Sequence, residues 1–299
     1  MNREKGAVKL AESFINDNAQ GKMIVICSAA GGTGRTAVTV NVAAVLAKRK
    51  MKVDILDADW QFGDIAMALN LEPAVTIKEI AEKQDSRNAR NYSMLHSAGI
   101  GVLAAPDRPE YADMITSDVL EATVRALLSE TQILLAETQT GLNDRNLQLM
   151  EMADIILLIT TPGIGSLKNT KLMIETLEEL ELKDKVNLVV NQKDRSYAIK
   201  ASMIPKLVGV EPFFFLPSEK TQLANSLDLG EPIVLSHPKL RFSKGIEGLA
   251  ERLYPQEKQS ADSGFLKLFQ KKITGVRGRV DELIGKNSIE ESKGIQKNQ

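Results

Sequence analysis

Phosphate binding is the chemistry indicated by one glycine-rich stretch, Ala29-Ala30-Gly31-Gly32-Thr33-Gly34-Arg35-Thr36. The stretch follows the apolar run Met23–Cys27 and precedes a helix predicted over Ala37–Lys48. In a strand, turn and helix of this kind, backbone N–H groups can surround a phosphate at the helix N-terminus. The usual pattern is G-x-x-x-x-G-K-[ST], and here Ala29 replaces the first glycine and Arg35 replaces the lysine. We therefore predict a phosphate-binding loop of altered chemistry; a glycine turn without a ligand is the alternative.

Each residue type in this loop has a separate task. Gly31, Gly32 and Gly34 lack a Cβ atom, so the backbone can approach phosphate oxygens closely. Thr36 is placed to offer its hydroxyl to Mg²⁺. Arg35 keeps a positive charge but replaces a compact ammonium by a wider planar fork, and the two are not interchangeable. We expect nucleotide binding to survive this change better than the clamp on the β- and γ-phosphates.

Strands and helices must alternate along the chain to position this loop. Seven apolar runs are predicted as strands: Met23–Cys27, Val53–Leu56, Ile100–Ala104, Gln132–Ala136, Ile155–Thr160, Val186–Asn191 and Phe213–Leu216. Their alternation with helical runs predicts an α/β fold with a mostly parallel sheet and helices on both faces. Ligands bind at the carboxyl ends of such strands. Asp59, Glu137, Asn191 and Pro217 all fall at those ends, as the glycine loop does.

The composition excludes several classes of protein. A formal net charge of −1 gives no overall attraction to nucleic acid. The single cysteine, Cys27, excludes a disulfide framework, and His96 and His237 lie in unrelated contexts, so no Cys/His metal cluster is expected. The chain has no secretory apolar region and no apolar run of about 18 residues. We predict a cytoplasmic protein.

We divide the chain into five parts. Residues 1–21 are predicted to form a helical leader, and residues 22–254 a nucleotide-binding domain. A polar linker follows at residues 255–263. Residues 264–286 are predicted to form a basic amphipathic helix, and residues 287–299 a disordered polar tail.

The predicted C-terminal helix has one apolar stripe and a basic opposite side. The stripe contains Phe265, Leu266, Phe269, Ile273, Val276 and Val280 at helical spacing. The cations beside or opposite it are Lys267, Lys271, Lys272, Arg277 and Arg279. Aromatic residues on one side and cations on the other are typical of a helix in a membrane interface. We predict that residues 264–284 contact an anionic membrane surface; a helix docked on the protein's own body or on a partner is the alternative.

The glycine loop, with the helical residues after it, resembles the deviant P-loop of the MinD/ParA group of ATPases. The residues that carry this resemblance are Gly31-Gly32-Thr33-Gly34-Arg35-Thr36 and Asn41-Val42-Ala43-Ala44. Other stretches look like the CpaE/TadZ branch, which is associated with localising Tad pilus assembly. These are Asp57-Ala58-Asp59-Trp60-Gln61-Phe62-Gly63-Asp64, Ala105-Pro106-Asp107-Arg108-Pro109-Glu110, Gly141-Leu142-Asn143-Asp144 and Thr160-Thr161-Pro162.

The resemblance implies ATP and Mg²⁺ as cofactors and assigns roles to the matching residues. Nucleotide binding falls to Gly31, Gly32, Thr33, Gly34, Arg35, Thr36, Ala37, Asn191 and Pro217. The last two match positions that the group uses around adenine. Mg²⁺ binding falls to Thr36, Asp59 and Glu137, and catalysis to Asp59 and Arg35. The implied partners are a second copy of the chain, a pilus or secretion machine and the inner face of the cell membrane, where the protein would be peripheral.

Three positions depart from the pattern of the group. A lysine that reaches the partner's nucleotide across the dimer is replaced by Ala30, and Glu137 replaces the aspartate that ends the Walker B strand. The lysine of the loop itself is Arg35. Loss of a cation that acts across an interface costs other NTPases about 10³-fold or more in rate. We therefore predict a nucleotide-binding protein with weak or absent hydrolysis; an active MinD-type ATPase and a ParA-like DNA-partitioning ATPase are the alternatives, and nucleic acid is the less expected partner.

Overall fold

The computed structural model describes residues 21–195 and 197–255, which build one sheet with helices packed on it. The strands run in the order β3-β4-β2-β5-β1-β6-β7-β8. Their bounds are β1 Lys22–Cys27, β2 Val53–Ala58, β3 Met94–Leu95, β4 Ile100–Leu103, β5 Ile133–Thr138, β6 Ile155–Thr160, β7 Val186–Val190 and β8 Phe214–Phe215. Every neighbouring pair is parallel except β3 and β4. The predicted α/β fold is thus confirmed.

Ten α-helices connect or follow these strands in the described part of the chain. The longer ones are α1 Arg35–Lys48, α4 Ser117–Glu130, α5 Asp144–Met152, α6 Ile164–Glu179, α8 Thr221–Asp228 and α10 Arg241–Leu253. The shorter ones are α2 Ile65–Ala68, α3 Ile77–Lys83, α7 Ile204–Val208 and α9 Ile233–Ser236. Four 3₁₀ segments lie at Ser86–Tyr92, Pro109–Met114, Lys183–Lys185 and Ala201–Met203. Because most strands are parallel, the chain must return from the carboxyl end of one strand to the amino end of the next. Helices make most of these crossover connections.

Both faces of the sheet are buried, which explains the continuous apolar runs of its strands. In β1, Met23, Val25 and Cys27 pack into the core on one face, while Ile24 and Ile26 pack into the core on the other. The core on the face of Ile24 and Ile26 includes most of the apolar residues of α1. Every residue of α1 from Ala37 to Leu46 is buried. The helix that follows the glycine loop is therefore held rigidly against β1.

Two details of the sheet differ from the sequence-based prediction. The predicted strand over Phe213–Leu216 has only two residues in β8, because this strand pairs with β7 at just two positions at the sheet edge. The short antiparallel strand β3 was not predicted, since two residues are too few to produce a periodic pattern.

Several predictions concern residues that the structure does not describe. The leader up to residue 20, the linker from residue 256, the amphipathic helix 264–286 and the tail 287–299 lie outside the described residues. These assignments stay predictions. Among the helices within residues 21–195 and 197–255, none is long and apolar enough to cross a membrane.

Candidate nucleotide-binding site

The glycine loop leaves the carboxyl end of β1, which lies between β5 and β6 in the sheet. Gly32 and Gly34 have φ angles of 68° and 91°, in the left-handed region that favours glycine. Apart from the adjacent residues of the chain, a Cβ atom on Gly31 or Gly32 would meet no heavy atom of the described structure within 4 Å. The side of the loop toward which these two glycines face is therefore open, as a loop that surrounds a phosphate must be.

Gly34 has no such room. A Cβ atom there would lie 2.6 Å from Nδ2 of Asn191, which is buried at the end of β7. Nδ2 of Asn191 donates a hydrogen bond to the carbonyl oxygen of Thr33 at 2.9 Å. The predicted adenine contact Asn191 thus touches the phosphate loop itself, at the point where that loop enters α1.

Thr36 lies between two carboxyl groups that come from other segments of the chain. Its Oγ1 is 2.9 Å from Oδ1 of Asp64 and 2.7 Å from Oε1 of Glu137, which belongs to β5. A hydroxyl group has one hydrogen and can donate to only one of them at a time. Oε2 of Glu137 is buried and has no hydrogen-bond partner among the described residues. This group of oxygen atoms is short of positive charge, and oxygen ligands are those that Mg²⁺ prefers.

The pKa values of the buried carboxyl groups also indicate that positive charge is lacking at this site. Burial raises the pKa of Glu137 to about 7, although the nearby hydroxyls of Thr39 and Thr36 and the charge of Arg35 oppose the rise. Burial also raises the pKa of Asp57 well above its usual range, and the neighbouring Glu137 carboxyl adds to this. Two backbone N–H groups, of Asp59 and Ile65, donate to Asp57 and limit the effect.

Arg35 supplies a positive charge at the carboxyl end of the sheet. Its guanidinium points toward Thr138 and Asp59. Nη1 donates to the carbonyl oxygen of Thr138 at 2.7 Å, and Nη2 lies 3.7 Å from Oδ2 of Asp59. Asp59 also accepts a hydrogen bond from the backbone N–H of Phe62. The structure thus pairs Asp59 with Arg35, and it places Thr36 with Glu137 and Asp64.

The remaining predicted residues lie around this centre. Thr33 and Ala37 are buried at the end of the loop and the start of α1. Pro217 is buried after β8, where its ring packs against Gly245 of α10. In residues 21–195 and 197–255, no three His, Cys, Asp or Glu side chains are arranged to hold a metal ion by themselves. A bound Mg²⁺ would therefore need phosphate and water oxygens in addition to Thr36 and Glu137.

Two contacts of the site were not assigned from the sequence. Asp64 reaches Thr36, and the carbonyl oxygen of Thr138 accepts from Arg35. Asp64 could have been suspected, because it lies in the same loop as Asp57 and Asp59. Thr138 could not, since its backbone oxygen has no signature in the sequence.

An open glycine loop between a strand and a helix, with a threonine beside a strand-end acid, defines the class of P-loop nucleotide-binding proteins. The family model described as "ParA: NUBPL iron-transfer P-loop NTPase" matches residues 20–254. The chain belongs to this ParA family of P-loop NTPases.

Individual relatives cover almost the same range. The chain is 26% identical over 263 residues to an uncharacterized ATP-binding protein of Methanocaldococcus jannaschii, covering 85% of this chain and 97% of the relative. It is 24% identical over 240 residues to the septum site-determining protein MinD of Thermotoga maritima, with 78% and 88% covered.

Solved structures show the same fold. The cell division ATPase MinD of Pyrococcus furiosus superposes with a TM-score of 0.70 at 24% identity, covering 78% of this chain and 98% of that one. MinD of Pyrococcus horikoshii, solved in complex with Mg-ADP, gives 0.69 at 20% identity, with 79% and 96% covered.

Proposed function

We propose that this protein binds ATP with Mg²⁺ at residues 31–37 and hydrolyses it slowly or not at all. The observation that carries the proposal is the juxtaposition of an open glycine loop with the oxygen atoms of Thr36, Glu137 and Asp64; within the described residues neither carboxyl group forms an ion pair. Thr36 and Glu137 would hold Mg²⁺, and Asp59 stays the third predicted ligand. The Mg-ADP in the Pyrococcus horikoshii relative supports this choice of cofactor.

Slow hydrolysis is proposed from Ala30 and Arg35. Ala30 has no charge and cannot reach a second nucleotide, whereas a cation that stabilises the transition state accounts for about 10³-fold or more in other NTPases. The Arg35 guanidinium contacts Thr138 and Asp59. A guanidinium engaged there is not positioned on a γ-phosphate, and its contact with Asp59 also occupies the carboxylate that would act in catalysis.

A gain-of-function variant tests this part of the proposal. The double variant Ala30→Lys, Arg35→Lys restores both lysines of the group, and we expect its steady-state ATP turnover to exceed wild type by at least about tenfold. The variant Ala29→Lys, one residue away, serves as the control for added charge. Rapid turnover by wild-type protein, abolished by Asp59→Ala, would instead establish the active MinD-type ATPase.

We further propose that the protein acts at a membrane to localise a pilus or secretion assembly. This rests on the resemblance to the CpaE/TadZ branch and on the basic amphipathic pattern of residues 264–284. In the predicted helix, Phe269 would belong to the apolar stripe and Leu268 would fall on the polar side. Flotation with anionic liposomes should therefore be lost in Phe269→Glu and in a truncation at Ser263, but retained in Leu268→Glu. Equal flotation of all four proteins would contradict membrane contact.

Two other functions have less support. Iron transfer, named in the family description, needs exposed metal ligands, but Cys27 is the only cysteine and burial raises the pKa of its thiol to about 12. DNA partitioning would need a basic surface, and the net charge of −1 supplies none overall. Salt-dependent DNA binding by the full chain would favour the partitioning function.

A further inference from the structure

We infer that the Asp64 carboxylate takes part in binding the Mg²⁺ of the nucleotide, an inference that rests on the proposed function. Asp64 is an exposed residue of the loop between β2 and α2, and its Oδ1 reaches Oγ1 of Thr36 at 2.9 Å. Asp59, the aspartate of this loop that the resemblance assigns to Mg²⁺, lies beside Arg35. Asp64 would therefore add a second carboxyl group, besides Glu137, to the site around Thr36.

Thr36 has too few hydrogens for the carboxyl oxygens around it. Its Oγ1 is 2.9 Å from Oδ1 of Asp64 and 2.7 Å from Oε1 of Glu137, but the hydroxyl has a single hydrogen. Oε2 of Glu137 is buried and has no hydrogen-bond partner among the described residues. Mg²⁺ prefers an octahedron of oxygens at about 2.0–2.1 Å, whose neighbouring oxygens are then roughly 2.9 Å apart. The observed spacing is one that a shared cation would stabilise.

The chain on both sides of Asp64 is held against the end of β2. The backbone N–H of Ile65 donates to Oδ2 of Asp57 at 3.1 Å, and the Ile65 side chain is buried. A Cβ atom on Gly63 would lie 2.5 Å from the same Oδ2 atom, so only glycine allows this close approach. Because its two neighbours are fixed, Asp64 is already positioned beside Thr36 before a ligand arrives.

The Asp64 carboxylate does not cap the helix that follows it. An aspartate directly before a helix commonly accepts a hydrogen bond from a backbone N–H of the first turn. The Asp64 side chain forms no such bond to α2, and its carboxylate is directed at Thr36 instead. A carboxylate that faces the glycine loop without capping its own helix is suited to bind a cation that arrives with phosphate.

The test measures how much Mg²⁺ contributes to nucleotide binding. The affinity of the full chain for ATP is measured by calorimetry in excess Mg²⁺ and in excess chelator, and the ratio of the two affinities is compared. Asp64→Asn keeps the size of the side chain but removes its charge, so we expect this ratio to fall by at least about tenfold. The affinity in chelator should stay the same or rise, because one carboxylate that repels the triphosphate is gone. The EPR spectrum of Mn²⁺ bound with ATP should change in the same variant.

Asp144→Asn offers a matched control, because it removes the same charge from an exposed residue at the start of another helix, α5. This variant should leave the ratio unchanged. Asp64 is exposed and asparagine is equally accepted directly before a helix, so Asp64→Asn should fold normally. Gly63→Ala, which must displace Asp64, is a second variant that should lower the ratio.

An equal loss of both affinities in Asp64→Asn, or a loss of thermal stability alone, would overturn the inference. An unchanged ratio would overturn it as well, while Mg²⁺-dependent binding by wild-type protein would still support the proposed function. If wild-type protein bound ATP in neither condition, or equally in both, the proposed function would fail together with this inference.

Discussion

Strand β2 carries two buried aspartates, Asp54 and Asp57, and their surroundings differ completely. Asp54 forms an ion pair with Arg90, which lies in the 3₁₀ segment Ser86–Tyr92. Asp57, three residues further along, accepts hydrogen bonds from the backbone N–H groups of Asp59 and Ile65. No ion pair to Asp57 is found within residues 21–195 and 197–255. Burial is the same, but only Asp54 has its charge neutralised by a dedicated partner.

This difference separates a structural charge from a functional one. Near Asp54 one carboxylate faces one guanidinium, so the chain balances the charge itself. At the carboxyl end of the sheet, the four carboxyl groups of Asp57, Asp59, Asp64 and Glu137 lie close to one another, and among the described residues only Arg35 forms an ion pair with one of them, Asp59. Such an imbalance is costly inside a protein unless protons or a bound cation offset it. We therefore interpret the carboxyl end of the sheet as the binding site for Mg²⁺.

The largest effect is expected at the balanced pair. Arg90→Ala leaves Asp54 buried without its cation, and breaking a buried pair in this way costs about 3–5 kcal/mol. We expect urea unfolding to show a loss of this size, with nucleotide affinity unchanged for the folded fraction. Arg87→Ala, an exposed change in the same segment, should alter stability by less than about 0.5 kcal/mol. Reduced nucleotide affinity of folded Arg90→Ala protein would mean that the two regions are not separate.

The next effect separates two glycines of the phosphate loop. Gly34→Ala requires a left-handed backbone and a collision with Asn191, so we expect nucleotide affinity to fall by about 100-fold. Gly31→Ala meets no neighbouring protein atom and needs no positive φ angle, so it should leave the conformation of the unligated loop intact, and its nucleotide affinity should fall less than that of Gly34→Ala. Fluorescent ATP titrations measure both. Equal losses would contradict the described loop conformation.

A smaller effect concerns pH and the unligated protein. The ordinary pKa of Glu137 is 4.5, and burial raises it to about 7 in the folded state. Between these two values the folded state binds more protons than the unfolded state, so the free energy of unfolding should decrease as pH rises. We expect a decrease of about 2 kcal/mol from pH 4.5 to pH 7.5, followed by denaturant unfolding. Glu137→Gln should flatten this dependence, and an unchanged slope in that variant would assign the titration to another group.

The smallest effect is a spectroscopic one. Trp60 is the only tryptophan; it is buried next to Asp59, and its Nε1 has no hydrogen-bond partner in the described structure. Because Asp64 of the same loop contacts Thr36, Mg²⁺ and nucleotide bound beside Thr36 should shift this loop and change the Trp60 emission slightly. Gly34→Ala should show no such change at the same ATP concentration. Identical emission of wild-type protein with and without saturating Mg²⁺ and ATP would contradict this coupling.

How far the sequence predicts this molecule depends on the range of the interactions. Apolar periodicity and the glycine spacing are local, and they predicted β1, the loop and α1, together with the parallel sheet. They also predicted that Thr36 and Glu137 meet at one edge, since parallel strands end together. The direction of Arg35 toward Thr138 and the reach of Asn191 to Thr33 depend on side-chain conformations and on contacts between distant segments. Residue types alone do not encode these choices.

The most direct test of the account is a titration of wild-type protein with ATP, with and without Mg²⁺, followed by a turnover measurement on the same sample. The carboxyl groups of Asp59, Asp64 and Glu137 beside the glycine loop should repel an uncompensated triphosphate, so we expect tight binding only with Mg²⁺. Turnover on that sample should be close to the uncatalysed background. Binding that is equally tight in excess chelator, or no binding under either condition, would contradict the assignment of Mg²⁺ to this edge of the sheet.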